Sequence, residues 1–165
     1  MTVPAGVELR DAMPSEAAEL EALQRRASLV WEEYRPHLEA HPDAIEVSDS
    51  LFRDGSVRAA HEAGVVVGFS AVLPVSDGQW ELDGLFVEPA RMRRGVGTLL
   101  VNDVVARAIA AGIDRITVTA NPRALLFYRS LGFTGSARVT TRFGDGVRLQ
   151  LVVRPTASET GLSAR

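Results

Sequence analysis

The chain contains no cysteine and no lysine; its 18 basic residues are all arginine. Without cysteine there is no disulfide framework, no thiolate nucleophile and no zinc–thiolate site. Without lysine, Schiff-base chemistry and the phosphate lysine of a Walker loop are excluded, and the protein has no lysine side chain of its own to acetylate. Aromatic residues are scarce, at 6%, and no apolar run approaches the roughly 20 residues of a membrane-spanning helix. Excess positive charge is missing too. A formal net charge of -3 argues against a surface built to neutralise nucleic-acid phosphates. The opening stretch MTVPAGVELRDAMP has no basic segment followed by an apolar one, so no secretory signal is expected. The expected location is cytoplasmic, with neither membrane nor nucleic acid as partner.

What remains is the profile of one globular domain, with 46% hydrophobic and 24% charged residues, near the average for soluble proteins. A chain of 165 residues buries roughly 70% of its unfolded surface on folding. The domain is expected over 1–155, and the small, polar residues 156–165 as a disordered tail.

Hydrophobic periodicity predicts the elements. Val7–Arg10 reads as a strand. Pro14 and Ser15 open a helix carrying Ala17, Leu20, Leu23 and Ala27 on one face, and a second helix is expected from Ser28 to Ala40. Val57–Glu62 and Val65–Leu73 read as strands joined by a tight Ala63-Gly64 turn, with Trp80–Val87 as the next. Gly95–Ala111 is a strongly periodic helix, stopped where Gly112 supplies a left-handed residue. Ile116–Ala120 is a short β-branched strand, and Asn121-Pro122 is a good helix start, leading into a helix that ends at Gly132. Arg138–Phe143 and Val147–Val153 read as a hairpin around Gly144-Asp145-Gly146. The order β-α-α-β-β-β-α-β-α-β-β places the chain in the α/β (α+β) class: one mixed sheet of about seven strands flanked by about four helices.

The most informative stretch is ELDGLFVEPARMRRGVGTLL, Glu81–Leu100. A strand runs into an arginine- and glycine-rich turn that opens directly into a helix. The first helical turn has unpaired N–H groups and the positive end of the macrodipole. Gly95 and Gly97 remove side chains that would hold a phosphate away, and Arg91, Arg93 and Arg94 add cations. The alternative is a plain tight turn with solvated arginines. Two phosphate motifs are excluded here. There is no Gly-Lys-Ser/Thr, and Leu100 stands where a dinucleotide fingerprint needs its third glycine.

The turn resembles the acetyl-CoA signature of the GCN5-related N-acetyltransferases, Gln/Arg-x-x-Gly-x-Gly/Ala. Met92-Arg93-Arg94-Gly95-Val96-Gly97 matches both glycines and departs at Met92, where Arg91 or Arg93 are candidates to compensate. TVTANPRALLFYRSLGF, Thr117–Phe133, is similar to that family's fifth strand, fourth helix and closing Gly-Phe. The resemblance covers about Val57–Val153 and implies a mostly antiparallel sheet. It also implies a cofactor, acetyl-CoA, held by Met92, Arg93, Arg94, Gly95, Val96, Gly97 and Thr98, by Leu85, Phe86 and Val87 at a strand bulge eased by Gly84, and by Asn121 and Tyr128. The activity implied is direct acetyl transfer to a primary amine of a small molecule or peptide, with no covalent acetyl-enzyme. The alternative is a non-catalytic acetyl-CoA-binding or regulatory module on the same fold.

An alkyl ammonium must lose a proton before it attacks a thioester. Glu81 and Asp83, two apart on a strand, share one face. Glu81 matches the position of a glutamate base in part of the family and is the preferred base. Asp83 is the second choice or a binder of the amine's charge, and both are equally readable as solvated residues on an exposed sheet face. Tyr128 matches a tyrosine that protonates the CoA thiolate in many members; otherwise it is a core aromatic. For the acceptor, Trp31, Tyr34, Glu32, Glu33 and Phe52 offer apolar walls with carboxylates, beside Glu81 and Asp83. His37 and His41 have a metal-compatible spacing but no third ligand, so no metal is expected. His61 is given no role. A homodimer is left open, with no residue marking its interface.

Overall fold

The computed structural model describes residues 4–31, 35–41, 52, 55–141 and 144–153. The strands are β1 (Val7–Asp11), β2 (Val57–Glu62), β3 (Val65–Ser76), β4 (Gln79–Val87), β5 (Arg115–Ala120), β6 (Thr134–Thr141) and β7 (Gly144–Val152). They form one seven-stranded sheet in the order β1-β2-β3-β4-β5-β7-β6. Every pair is antiparallel except β4–β5. A parallel pair needs a crossover, and helix α3 (Val96–Ala110) provides it. Helices α3 and α4 (Leu125–Ser130) cover one face of the sheet; α1 (Ala17–Leu29) packs on β3 and β4 from the other, with α2 (Arg35–Ala40) against α1.

The turn between β2 and β3 forms at Ala63 and Gly64, both with positive φ (52° and 81°), the backbone that matches the twist of a hairpin. Two expectations change. The helix predicted over 28–40 is described only as Arg35–Ala40, because Ser28 and Leu29 complete α1. The last hairpin does not turn at Gly144-Asp145-Gly146: Thr141 pairs with Gly144 and all three residues belong to β7; residues 142–143, with Phe143, lie outside the described residues. The glycine at 146 has a packing reason instead: a Cβ there would meet Thr119 Cγ2 at 2.7 Å. The predicted tail, 156–165, also lies outside the described residues.

The apolar stripe of α3 seals the larger part of the core. Leu100 is fully buried (0% exposed) among Ala60, Val67 and Val96. Truncating such a leucine removes its transfer energy and leaves a cavity, so Leu100→Ala is expected to cost about 2–5 kcal/mol. Chemical denaturation checks it; a loss below about 1 kcal/mol means the site collapses around the smaller side chain.

Candidate active site

Strands β4 and β5 pair only from Gln79–Arg115 to Leu82–Val118. Beyond that, β4 follows β3 to Val87 while β5 follows β7 to Ala120, and the two parallel strands part. The split begins at a bulge. Ala71 pairs with Gly84 and Val72 with Leu82, which leaves Asp83 as the extra residue, and an extra residue bends and twists its strand. The sequence placed this bulge at Leu85–Val87; the register places it at Asp83. Gly84 permits it, because a Cβ there would lie 2.9 Å from the Phe86 ring. Past the bulge the alternation resets. Leu82 and Leu85, three apart, both join the core under α3 and α4, while Phe86 packs on Phe69 with ring centroids 5.3 Å apart.

A cleft of about 610 Å³ occupies the split. Its middle is lined by Leu82–Val87 and by Val118, Thr119, Ala120 and Asn121; Ser28 of α1 and Trp31 just past its end border one side, and Phe127 and Tyr128 of α4 another. Among the described residues, the β4 edge that faces away from β3 has no partner strand beyond Leu82, an edge that suits an extended ligand.

At one end Met92, Arg93, Gly95, Gly97 and Thr98 form the wall. Gly95 caps α3 in the left-handed conformation (φ 89°) without a side-chain cap, and Arg93 is left-handed too (φ 63°). The first helical bond runs from Leu99 N–H to Gly95 O at 2.9 Å. The N–H groups of Val96, Gly97 and Thr98 therefore have no intrahelical acceptor, and they stand at the positive end of the helix dipole with Arg93 on the same wall, a setting that suits an anion. The Val96 side chain is buried at 1% exposure, so only its main chain can contribute. Arg91 is engaged elsewhere, its Nε donating to Glu62 Oε2 at 2.6 Å, which leaves Arg93 as the arginine at the cleft. Arg94 is exposed and does not line the cleft.

The two carboxylates of β4 have separate environments. Glu81 accepts from Thr117 Oγ1 at 2.5 Å and from Arg148 Nη1 at 2.8 and 3.1 Å, and it does not line the cleft. Asp83 does line it. It is exposed to the cleft and takes part in no hydrogen bond or ion pair among the described residues. Loss of surrounding water, and secondarily the Glu81 charge, raises its pKa above the usual aspartate value.

Tyr128 is 7% exposed, with Phe127 and Phe133 edge-on at 5.1 and 5.4 Å. Burial pushes its pKa up, so the phenol keeps its proton across the physiological range and is available as an acid rather than a base. Asn121 both lines the cleft and caps its turn, Oδ1 accepting from Arg123 N–H at 2.8 Å. Trp31 carries the Arg123 guanidinium 5.5 Å from its ring centroid. Glu32, Glu33 and Tyr34, and the side chain of His37, lie outside the described residues. Phe52 packs on the core under α1. His61, given no role by sequence, is buried at 6% exposure, its Nε2 3.0 Å from Glu16 Oε2. Among the described residues no group of three or more His, Cys, Asp or Glu could hold a metal, and no helix is long and apolar enough to cross a membrane.

Sequence reasoning missed Arg148, Thr119 and Phe127. Period-two alternation between Val147 and Leu149 puts Arg148 on the face opposite the core, but nothing local says that it reaches across β5 to β4.

Residues 20–133 match the family model described as the acetyltransferase (GNAT) family. Among solved structures, a GCN5-related N-acetyltransferase from Rhodopseudomonas palustris is 24% identical, with a TM-score of 0.70 over 92% of this chain and 99% of its own. The PaiA N-acetyltransferase of Thermoplasma acidophilum, solved in complex with coenzyme A, is 16% identical, with a TM-score of 0.68 over 88% of this chain and 98% of its own. The ribosomal-protein-S18-alanine N-acetyltransferase of Escherichia coli is also 16% identical at a TM-score of 0.68, over 92% and 96%.

Proposed function

This chain belongs to the acetyltransferase (GNAT) family, and from that premise we propose that it transfers acetyl from acetyl-CoA directly to a primary amine of a small molecule or peptide, with Asp83 as the base. The supporting observation is the split between β4 and β5, which joins an anion cradle to an unpaired carboxylate in one cleft.

Bound acetyl-CoA supplies an activated thioester. The N–H groups of Val96, Gly97 and Thr98, with Arg93, are suited to its diphosphate. The open edge of β4 suits the amides of its pantetheine arm, together with Asn121. Main-chain N–H groups at Leu85–Val87 supply donors for negative charge that develops on an acyl oxygen. Asp83 accepts the proton that an alkyl ammonium must lose, and its raised pKa favours that work. Glu81 is placed less well for this role, because it is bonded to Thr117 and Arg148 and does not line the cleft. Tyr128, neutral and buried beside the cleft, donates a proton to the leaving thiolate. Trp31 and Asp83 offer an acceptor an apolar wall and a negative charge, a setting for a cationic amine with hydrophobic bulk.

The reading is tested by thermal shift with acetyl-CoA, CoA, ATP and NAD. At about 100 times the dissociation constant a specific ligand adds about 2.7 kcal/mol, a rise of roughly 5–10 °C for a domain of this size. Both CoA species are expected to shift the transition, and ATP and NAD are not. No shift with either CoA species removes the proposal. Binding without turnover of a broad amine panel identifies a regulatory module instead.

A further inference from the structure

Arg148 is the one cation on the described sheet face that bears Glu81, Thr117 and Thr119 to be bonded to all but one of them. Its Nη1 donates to both oxygens of Glu81 (2.8 and 3.1 Å) and to Thr119 Oγ1 (2.7 Å), while Thr117 holds Glu81 from below at 2.5 Å. The guanidinium thus spans from β7 over β5 to β4, at the point where the strands part. Thr119 is itself a wall of the cleft. The Glu81 side chain is only 18% exposed, where an unpaired charge would be costly.

We propose that Arg148 is a positioning residue for the acetyl-transfer site: it clamps Glu81 out of the cleft and offsets its charge, leaving Asp83 as the single unpaired carboxylate that meets the acceptor amine. This rests on the acetyl-transfer reading above for its function, though not for its geometry. Two carboxylates two residues apart on one bulged strand repel when both are ionised, and the Glu81 charge adds to the rise in the Asp83 pKa. The arginine resolves the conflict by taking one of them. The other ionisable groups bordering the cleft are Arg93 at the turn and Tyr128 on α4; α1 presents Gln24, Ala27 and Ser28, with Trp31 just past its end, none charged, and β3 sets Ala71 and Val72 opposite the bulge.

The experiment follows the Asp83 carboxyl carbon by NMR through a pH titration of the full chain, assigned with Asp83→Asn. In Arg148→Gln the midpoint is expected to rise by about one pH unit, an ordinary size for a perturbation by a neighbouring charge. The double variant Glu81→Gln/Arg148→Gln is expected to bring it back towards the wild-type value. In turnover, Arg148→Gln leaves Glu81 free to hold the ammonium in the wrong place, so KM for a cationic amine and kcat fall together. Loosened packing would instead raise KM. Arg148→Lys, which keeps the charge, recovers part of the loss. An unchanged Asp83 midpoint in a folded Arg148→Gln protein overturns the proposal. The titration needs no substrate, so an enzyme that binds no CoA would end the acetyl-transfer reading and leave the clamp standing.

Discussion

Replacing Asp83 with asparagine is expected to lower kcat/KM for the amine by roughly 10²–10⁴-fold, the range typical for loss of a general base. Asparagine keeps the size and polarity of the side chain, so affinity for acetyl-CoA and folding stability should stay close to wild type. The residual rate should climb with pH, as solvent deprotonates the amine in place of the carboxylate. Glu81→Gln is the comparison. It removes a carboxylate already bonded to Thr117 and Arg148, so its effect on turnover should be smaller than that of Asp83→Asn. The reverse ranking would return the role of base to Glu81, the position that the family resemblance favours. Steady-state kinetics across pH, with cofactor affinity measured separately, decides between them.

The second large effect is expected at Gly97. A Cβ on this residue would lie 3.3 Å from Phe127 Cζ and 3.7 Å from Val87 Cγ2, and its N–H is one of the three left without an acceptor at the start of α3. Gly97→Val adds an isopropyl group at this crowded point and pushes ligand oxygens away from the helix terminus. Hydrogen bonds to charged groups contribute about 1.5–3 kcal/mol each. Losing one or two should weaken acetyl-CoA binding by roughly 10- to 10⁴-fold at 1.4 kcal/mol per tenfold. Gly97→Ala, which needs Phe127 to move by only a few tenths of an ångström, should lose far less. Calorimetry on both variants measures this. A well-folded Gly97→Val protein that binds CoA like wild type would show that the anion cradle is elsewhere. The same tight contact explains why a glycine stands here at all: α3 and α4 meet across it.

Much of the molecule was legible because its signals are local. The Gly95 turn needs only contiguous residues: a glycine able to take φ 89°, a helix that starts at once, and no capping side chain. The Asn121-Pro122 cap and the Ala63-Gly64 turn were readable on the same terms. Elements failed where the signal depended on a partner. Gly144 and Gly146 look like turn residues in sequence, yet both lie in β7, because Gly146 must clear Thr119 on the neighbouring strand.

The order of strands and helices, the family resemblance and the glycine- and arginine-rich turn that opens α3 could be read from the chain alone, since each is encoded in residues adjacent along it. Only the tertiary structure decided which carboxylate serves the cleft. The bulge at Asp83 exists because β4 slips by one residue against β3, and Glu81 is withdrawn by an arginine 67 residues further on. Period-two alternation puts both carboxylates on one face and stops there; the choice between them is made by a register and a charge that belong to other strands.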